Sequence, residues 1–251
     1  MIFHIPHALI HIPPGVFPKI ALSKEQLTAE LLKITDWFTD DLFGGHAESE
    51  DPVIVYPVSR LVVDPERFVD DDREAMAGVG MGVIYTKTSD GSALRAHPTS
   101  AERESLLANF YYPHHQRLSG AVELDLKRCG KAMIVDCHSF PSHPLPYEQC
   151  QKSDRPDICI GTDDFHTPDQ LVRAVEDQCR AASWSFELNQ PFSCTIVPMT
   201  HNRKTKAVSS IMIEINRRLY MDEKNGTKSK NYEMSRLRIG KIVSAVRGVH
   251  S

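Results

Sequence analysis

The chain has 251 residues, of which 41% are hydrophobic and 25% are charged, and its formal net charge is −4. This length and composition are ordinary for a globular protein with one full-sized core, and the slight negative charge excludes the basic footprint of a nucleic-acid-binding protein. No apolar run reaches the roughly 18 residues that a membrane span requires. We therefore expect one globular domain over residues 1–251 that contacts neither nucleic acid nor membrane.

The N-terminal residues and the cysteines predict a cytoplasmic protein. Residues 1–7 lack the basic segment and the long apolar segment of a signal peptide. The six cysteines form no CxxC pair, and several lie in apolar patterns. We expect reduced thiols, as in cytoplasmic proteins, rather than disulfides or a zinc ion held by cysteine.

Strand and helix signals alternate from the first residues onward. Ile2–Ile5 and Val53–Tyr56 are short apolar runs typical of strands. Ser23 begins a capping box that ends at Gln26. Behind this box, apolar residues recur at spacings of three and four, which predicts one helix that continues to Leu42.

The second half of the chain continues this alternation. Its predicted elements are a capped helix from Thr99 through Phe110, a strand at Ala132–Val135, a helix capped by Thr167, strands at Cys194–Met199 and Ser210–Ile215, and a terminal helix at Met234–Val246. Strands that alternate with long helices predict a single-domain α/β fold, with a mixed, mostly parallel sheet and helices on both faces. Residues 65–90, acidic and then glycine-rich, form either an ordered active-site loop or a mobile one.

Polar residues follow the central predicted strand. Asp136, Cys137, His138 and Ser139 come directly after it, and the ligands of open α/β sheets bind at the carboxyl ends of strands. His7 follows the first strand in the same way, and neighbouring strands lie about 5 Å apart. The two histidines can therefore converge on one metal ion. The alternative is a buried strand end with a hydrogen-bonded histidine.

The spacing of residues does not select a third metal ligand. A catalytic zinc ion usually takes three protein ligands and leaves one position for water. Asp36 is a candidate, because a carboxylate inside an apolar stretch must be paired, solvated or bound to a metal. The alternative is an exposed aspartate on a helix surface.

Glu214 lies in the middle of a predicted buried strand. In residues 211–216 the isoleucines take one face of the strand, and Glu214 lies on the other. Burial raises the pKa of a carboxyl group and makes it suited to act as a general base. The alternative is a structural salt bridge to Arg217 or Arg218.

Arg60 is a candidate anchor for the substrate. It follows the strand at Val53–Tyr56, so it reaches the same sheet edge as the histidines if that strand is parallel. A guanidinium group matches a carboxylate with two hydrogen bonds, or it stabilises a developing oxyanion. The alternative is an ordinary surface arginine.

Six short motifs, in order along most of the chain, resemble those of the N-formylglutamate amidohydrolases. The motifs are His4–Ala8, Thr35–Trp37, Ser59–Asp64, Tyr111–His115, Asp136–Ser139 and Ile213–Met221. The resemblance implies a fold similar to that of zinc carboxypeptidases and aminoacylase-like deacylases. It also implies hydrolysis of the amide bond of a small N-acyl amino acid, such as N-formylglutamate.

The same resemblance implies a zinc site and a catalytic base. His7, Asp36 and His138 match the three zinc ligands, with one ion per chain and another divalent metal as the alternative. Glu214 matches the base that activates water at the metal and later delivers a proton to the leaving amine.

Further positions follow from the resemblance or lie beside the matched ones. Arg60 matches a residue that binds the substrate carboxylate or the oxyanion, and His115 and Arg217 are further candidates for substrate binding. Asp136 either orients a metal ligand through a hydrogen bond or is a buried hydrogen-bond acceptor with no link to a metal. The chain departs from the family pattern at Leu9 and in residues 199–204, which we expect to shape the substrate pocket.

Three functions remain open at this point. The first is a zinc amidohydrolase, and the second is a peptidase similar to zinc carboxypeptidases, which needs a longer open groove. The third is a non-enzymatic binding protein that keeps the fold. The sequence leaves the preferred acyl group, the amino acid and the oligomeric state open.

Overall fold

A computed structural model describes residues 1–250. The strands are β1 (Ile2–Ile5), β2 (Val53–Val55), β3 (Ala132–Phe140), β4 (Ile158–Gly161), β5 (Phe186–Leu188), β6 (Val208–Asn216), β7 (Met221–Asp222) and β8 (Thr227–Lys228). The helices are α1 (Lys24–Ile34), α2 (Thr39–Leu42), α3 (Ser100–Leu106), α4 (Tyr112–Cys129), α5 (Asp169–Ala181) and α6 (Tyr232–His250).

The central sheet has six strands in the order β2-β1-β3-β6-β4-β5. The first four strands of this order are parallel, β4 is antiparallel to β6, and β5 is parallel to β4. The expected mixed, mostly parallel sheet is confirmed. β7 and β8 form a separate two-stranded ribbon.

Helices cover both faces of the sheet, as predicted. On one face, apolar residues of α2, α5 and α6 pack with the isoleucines of β6 and with Phe3, Val135 and Cys137. On the other face, Leu118 and Val122 of α4 pack against Ile134 and its neighbours. α4 covers only part of its face. Asp136, His138 and Glu214 lie beyond it, toward the carboxyl ends of β3 and β6.

The helix after the first capping box is shorter than predicted. Its capping box at Ser23 is present, but α1 ends at Ile34 and the chain turns. Thr35 is extended, and the backbone N–H of Asp36 donates to the carbonyl of His7 at 2.9 Å. Of the apolar residues that continued the helical spacing, Leu42 belongs to α2 and Phe38 is the N-cap of α2. This break places Asp36 beside the end of β1.

Two further predictions of local structure were wrong. Residues 194–199 are irregular rather than a strand. Thr167 does not cap α5, whose N-cap is Pro168. The Thr167 hydroxyl accepts a hydrogen bond from the Asp163 N–H at 2.9 Å and donates one to the Ser210 carbonyl at 2.7 Å. It is therefore used to hold a loop against β6.

A π turn at residues 107–111 joins α3 to α4. The N–H of Tyr112 donates to the carbonyl of Leu107, five residues back. Pro113 has no N–H to contribute to a regular helical ladder, which favours a break at this point. The predicted helix at Thr99 thus runs into the long helix α4, which the sequence reading missed together with β4 and β5.

Part of the 65–90 segment packs against the core. Met81, Val83, Ile84 and Tyr85 are buried in two small apolar clusters beside the main core. Within residues 1–250, no helix combines the length and the apolar character that crossing a bilayer requires.

Candidate metal and catalytic site

A cavity of about 650 Å³ opens at the carboxyl ends of β1, β3 and β6. All eight of the residues singled out from the sequence line it: His7, Asp36, Arg60, His115, Asp136, His138, Glu214 and Arg217. The parallel arrangement of these three strands accounts for the convergence, because it brings their ends to one edge of the sheet.

Three buried side chains at the base of the cavity form a candidate metal-binding group. His7, Asp36 and His138 each offer one ligand atom, and these atoms lie within 4.8 Å of one another. Asp36 Oδ2 lies 3.1 Å from His138 Nδ1 and 3.7 Å from His7 Nδ1. The buried His7 Nδ1 has no hydrogen-bond partner among residues 1–250. A divalent cation fits this set, since it would satisfy that nitrogen and take the donor types that zinc prefers.

The far nitrogen of each imidazole is held by a second carboxylate. His7 Nε2 lies 2.9 Å from Asp64 Oδ1, and His138 Nε2 lies 3.1 Å from Asp136 Oδ1. A carboxylate in this position fixes the orientation of the ring and places its proton on the far nitrogen. This geometry agrees with the expectation that Asp136 orients the proposed metal ligand His138. Asp64 was missed, although it closes one of the six motifs.

The charges around the site favour a cation. Burial opposes ionisation of Asp36, but the imidazoles of His138 and His7 hold its pKa below the ordinary value. Burial likewise disfavours a charged His138, yet the negative charges of Glu66 and Asp136 raise the pKa of His138 well above the ordinary value. Glu66, also missed from the sequence, lies 3.2 Å from His138 Nε2.

Glu214 is buried beside the metal-binding group and faces the same side of the sheet. It is the register partner of His138 across β3 and β6. The salt-bridge alternative fails, because Arg217 pairs with Asp36 at 3.2 Å and Arg218 pairs with Asp157 at 2.8 Å. Burial, together with the charges of Asp36 and Glu66, raises the pKa of Glu214 to about 8.

The predicted arginines already have protein partners. Arg60 donates to Asp64 Oδ2 at 2.7 Å and to the Tyr85 hydroxyl at 3.0 Å. Arg217 contacts Asp36 at 3.2 Å and Ser139 Oγ at 3.3 Å. Both therefore support the site as well as line the cavity.

Arg67 is a cavity-lining arginine that the sequence reading missed. Its Nε is buried and lacks a hydrogen-bond partner in the described part of the chain, and it lies 3.7 Å from Asp64 Oδ2. The signal for it was its place three residues after Asp64. The Arg67 side chain is 23% exposed, against 12% for Arg60 and 3% for Arg217, so Arg67 is better placed than either to receive a carboxylate from the cavity.

His115 lies at the side of the cavity. Its Nε2–H donates to the Pro65 carbonyl at 2.8 Å, and its ring stacks on Tyr111 with centroids 4.2 Å apart. Burial lowers the pKa of His115. The contact ties α4 to the 65–90 segment and presents a neutral imidazole to the cavity.

The opposite wall is formed by residues 191–199, which connect β5 to β6. Phe192, Ile196 and Met199 line the cavity there, so the departure from the family pattern near residue 199 does shape the pocket. The N–H of Ile196 donates to Asp136 Oδ2 at 3.0 Å. This wall is therefore anchored to the carboxylate that orients His138.

The fold and this site define a class of α/β proteins with a buried histidine–carboxylate centre at the sheet edge. A crystal structure of an N-formylglutamate amidohydrolase from Ralstonia eutropha matches with a TM-score of 0.85 and 21% identity, covering 99% of this chain and 93% of that one. A gene product of Agrobacterium tumefaciens matches with a TM-score of 0.70 and 18% identity, covering 100% of this chain and 91% of that one. At these identities the likeness establishes the fold.

The sequence comparisons narrow this class to a family. The family model for N-formylglutamate amidohydrolase matches residues 1–221. An N-formylglutamate deformylase of Pseudomonas putida is 26% identical over 228 residues, which span 89% of this chain and 82% of that protein. The chain belongs to the N-formylglutamate amidohydrolase family.

Proposed function

We propose that this protein is a metal-dependent amidohydrolase that removes the formyl group from N-formylglutamate. One observation carries the proposal: a buried two-histidine, one-aspartate group and a buried glutamate lie in one cavity at the edge of the sheet. The family and the Pseudomonas putida relative supply the choice of substrate.

His7, Asp36 and His138 would hold the metal. A bound zinc ion supplies a Lewis acid that lowers the pKa of water and polarises a carbonyl oxygen. The support for this assignment lies in the unpartnered His7 Nδ1 and in the negative charge around His138.

Glu214 is assigned as the general base. It accepts a proton from the attacking water, whose oxygen forms the new bond to the formyl carbon. It then delivers that proton to the amine nitrogen as the carbon–nitrogen bond breaks. The products are formate and glutamate. The buried position of Glu214 and its raised pKa suit a group that must both take and return a proton.

The arginines are assigned to the charges of the substrate. Arg67, whose side chain is more exposed in the cavity than that of Arg60 or Arg217, binds a carboxylate of N-formylglutamate. Arg60, held in place by Asp64 and Tyr85, stabilises negative charge that develops on the carbonyl oxygen. Arg217 and His115 line the same cavity and complete the binding surface.

The test combines metal analysis with turnover. Protein purified without added metal is assayed for zinc and other divalent ions, and for amine release from N-formyl-L-glutamate, N-acetyl-L-glutamate and a blocked dipeptide. We expect about one metal per chain and preferred turnover of the formyl compound. Cleavage of the dipeptide alone would establish a peptidase instead. Neither metal nor turnover, even after zinc is added, would refute the proposal in favour of a binding protein.

A further inference from the structure

A chain of buried polar contacts extends from the candidate metal site into the core. Asp136 Oδ1 lies 2.7 Å from His4 Nδ1, and His4 Nε2 lies 2.8 Å from His114 Nε2. His4 is on β1, Asp136 on β3 and His114 on α4. All three are buried, with at most 2% of their surface exposed. The assigned catalytic steps do not use either of these histidines.

The hydrogen-bond pattern fixes where the protons lie. His114 Nδ1 is buried, and the described residues offer it no hydrogen-bond partner. A proton there would be an unsatisfied donor, which is more costly than an unused lone pair in the same place. His114 therefore carries its proton on Nε2 and donates to His4 Nε2. Burial also lowers the pKa of His114 to about 2, so the ring is neutral.

The direction of the His4–Asp136 hydrogen bond follows from that of the His114–His4 hydrogen bond. Since His4 Nε2 accepts a hydrogen bond, the proton of neutral His4 lies on Nδ1 and is donated to Asp136. Asp136 Oδ1 also faces His138 Nε2 at 3.1 Å, and Oδ2 accepts from the Ile196 N–H at 3.0 Å. Three donors from separate segments thus fix this carboxylate. A fixed carboxylate keeps the proton of His138 on Nε2 and leaves Nδ1 free to face Asp36.

We propose that His4 and His114 are positioning residues that fix Asp136, and through it the ring orientation and the metal-binding tautomer of His138. This inference rests on the proposed metal-dependent function. It adds two histidines that touch neither the metal nor the substrate. Their effect is therefore expected on metal affinity before it is expected on any catalytic step.

A different role for His4 is that of ligand to a second metal ion. His4, Glu66 and Asp136 also offer ligand atoms within 4.8 Å of one another. However, both ring nitrogens of His4 already have partners at hydrogen-bond distance, whereas His7 Nδ1 has none within residues 1–250. The geometry therefore favours a positioning role, and the number of metal ions per chain separates the two roles.

The experiment uses paired substitutions that keep or remove one donor. In His4→Asn the side-chain amide can take the place of Nδ1–H and still donate to Asp136, whereas His4→Leu cannot. In the same way, His114→Gln can replace Nε2–H, and His114→Leu cannot. His166→Leu is the matched control. His166 is equally buried, and both of its ring nitrogens are hydrogen-bonded at 2.7 and 2.8 Å, but its partners are backbone groups of Val208 and Arg203.

Two quantities are measured on each protein: zinc affinity, by competition with a chromophoric chelator, and thermal unfolding of the metal-free form. We expect His4→Leu to weaken zinc binding by up to ~10-fold, the lower end of the usual effect of losing a group that orients a metal ligand, because His4 acts through Asp136. We expect His114→Leu to weaken zinc binding less than His4→Leu does, because it acts one step further away. His4→Asn and His114→Gln should recover most of the affinity, while His166→Leu should lower the unfolding temperature alone.

The other outcomes overturn the proposal. Unchanged zinc affinity in both leucine variants, with lower unfolding temperatures, would make the two histidines ordinary core residues. Two metal ions per wild-type chain, one of them lost in His4→Asn, would make His4 a ligand. If His4→Leu does not fold, the His114 pair alone decides the question. Wild-type protein that binds no metal would refute the proposed function as well, and this result is distinguishable from the others.

Discussion

The two halves of β3 are equally buried, yet their chemistry is opposite. Residues 132–135 are apolar and divide between the packed cores on the two faces of the sheet. Asp136, His138 and Ser139 continue the same strand at 4% exposure or less, and they make polar contacts to at least four other segments.

This comparison shows that burial alone does not distinguish a core from a site. In the first half of β3, each side chain gains by leaving water. In the second half, leaving water costs free energy that only specific partners offset. Substitutions in the polar half should therefore change metal content and turnover. Substitutions in the apolar half should change global stability. Four substitutions test that division.

Substitution of His138 by alanine should abolish both bound metal and turnover. The change removes one of three proposed ligands, and with it the imidazole that contacts both Asp36 and Asp136. Metal content and amine release are the measurements, and His143→Ala, at an exposed histidine, is the control. A variant that retains turnover would show that the polar half of β3 is structural.

Glu214→Gln should retain metal and lose rate by roughly 10²–10⁴-fold, the usual contribution of a general acid–base group. The amide keeps the size of the side chain but cannot take a proton. Turnover and metal content should be measured on the same preparation, with Glu187→Gln on β5 as the control. An unchanged rate would assign the base to another residue.

Arg67→Gln should raise KM for N-formylglutamate by ~10- to 100-fold and change kcat little, since a hydrogen bond to a charged group is worth about 1.5–3 kcal/mol. Steady-state kinetics give both constants. Arg180→Gln, at an exposed arginine paired with Glu176, serves as the control. A fall in kcat with constant KM would place Arg67 at the reacting carbonyl instead.

Ile134→Val should lower the free energy of unfolding by about 1 kcal/mol, because it removes one methylene from the core beneath α4. The variant should bind metal and turn over substrate as the wild type does. Urea unfolding and metal analysis test both halves of this expectation. A change in metal affinity would mean that the two halves of β3 are not separable.

The sequence predicted local structure well where a few neighbouring residues determine it. The capping box at Ser23 and the alternation around Glu214 predicted what the structure contains. The polar residues 136–139 were expected after the central strand, but they lie within β3, which continues to Phe140. The family resemblance then selected Asp36 from among many carboxylates. It did so even though the helical periodicity around that residue gave the wrong local structure.

The missed features depend on contacts that are distant in sequence. The helical spacing to Leu42 was real, but the hydrogen bond between Asp36 and His7 breaks the helix at Ile34. Arg60 looked like a free anchor, and only the structure shows that Asp64 and Tyr85 occupy it. Partners of this kind are set by the fold, so local patterns could not reveal them.

The π turn at residues 107–111 has a consequence for how this protein tolerates changes in length. One extra residue in a helical turn rotates everything beyond it by about 100°. His114 lies just beyond this turn, and its Nε2 lies 2.8 Å from His4 Nε2. Deletion of a single residue from this turn would keep nearly the whole sequence yet swing His114 and His115 away from the sheet. We therefore expect an insertion or deletion between Thr99 and His114 to break the contact between His114 and His4, although almost every residue of the chain is kept.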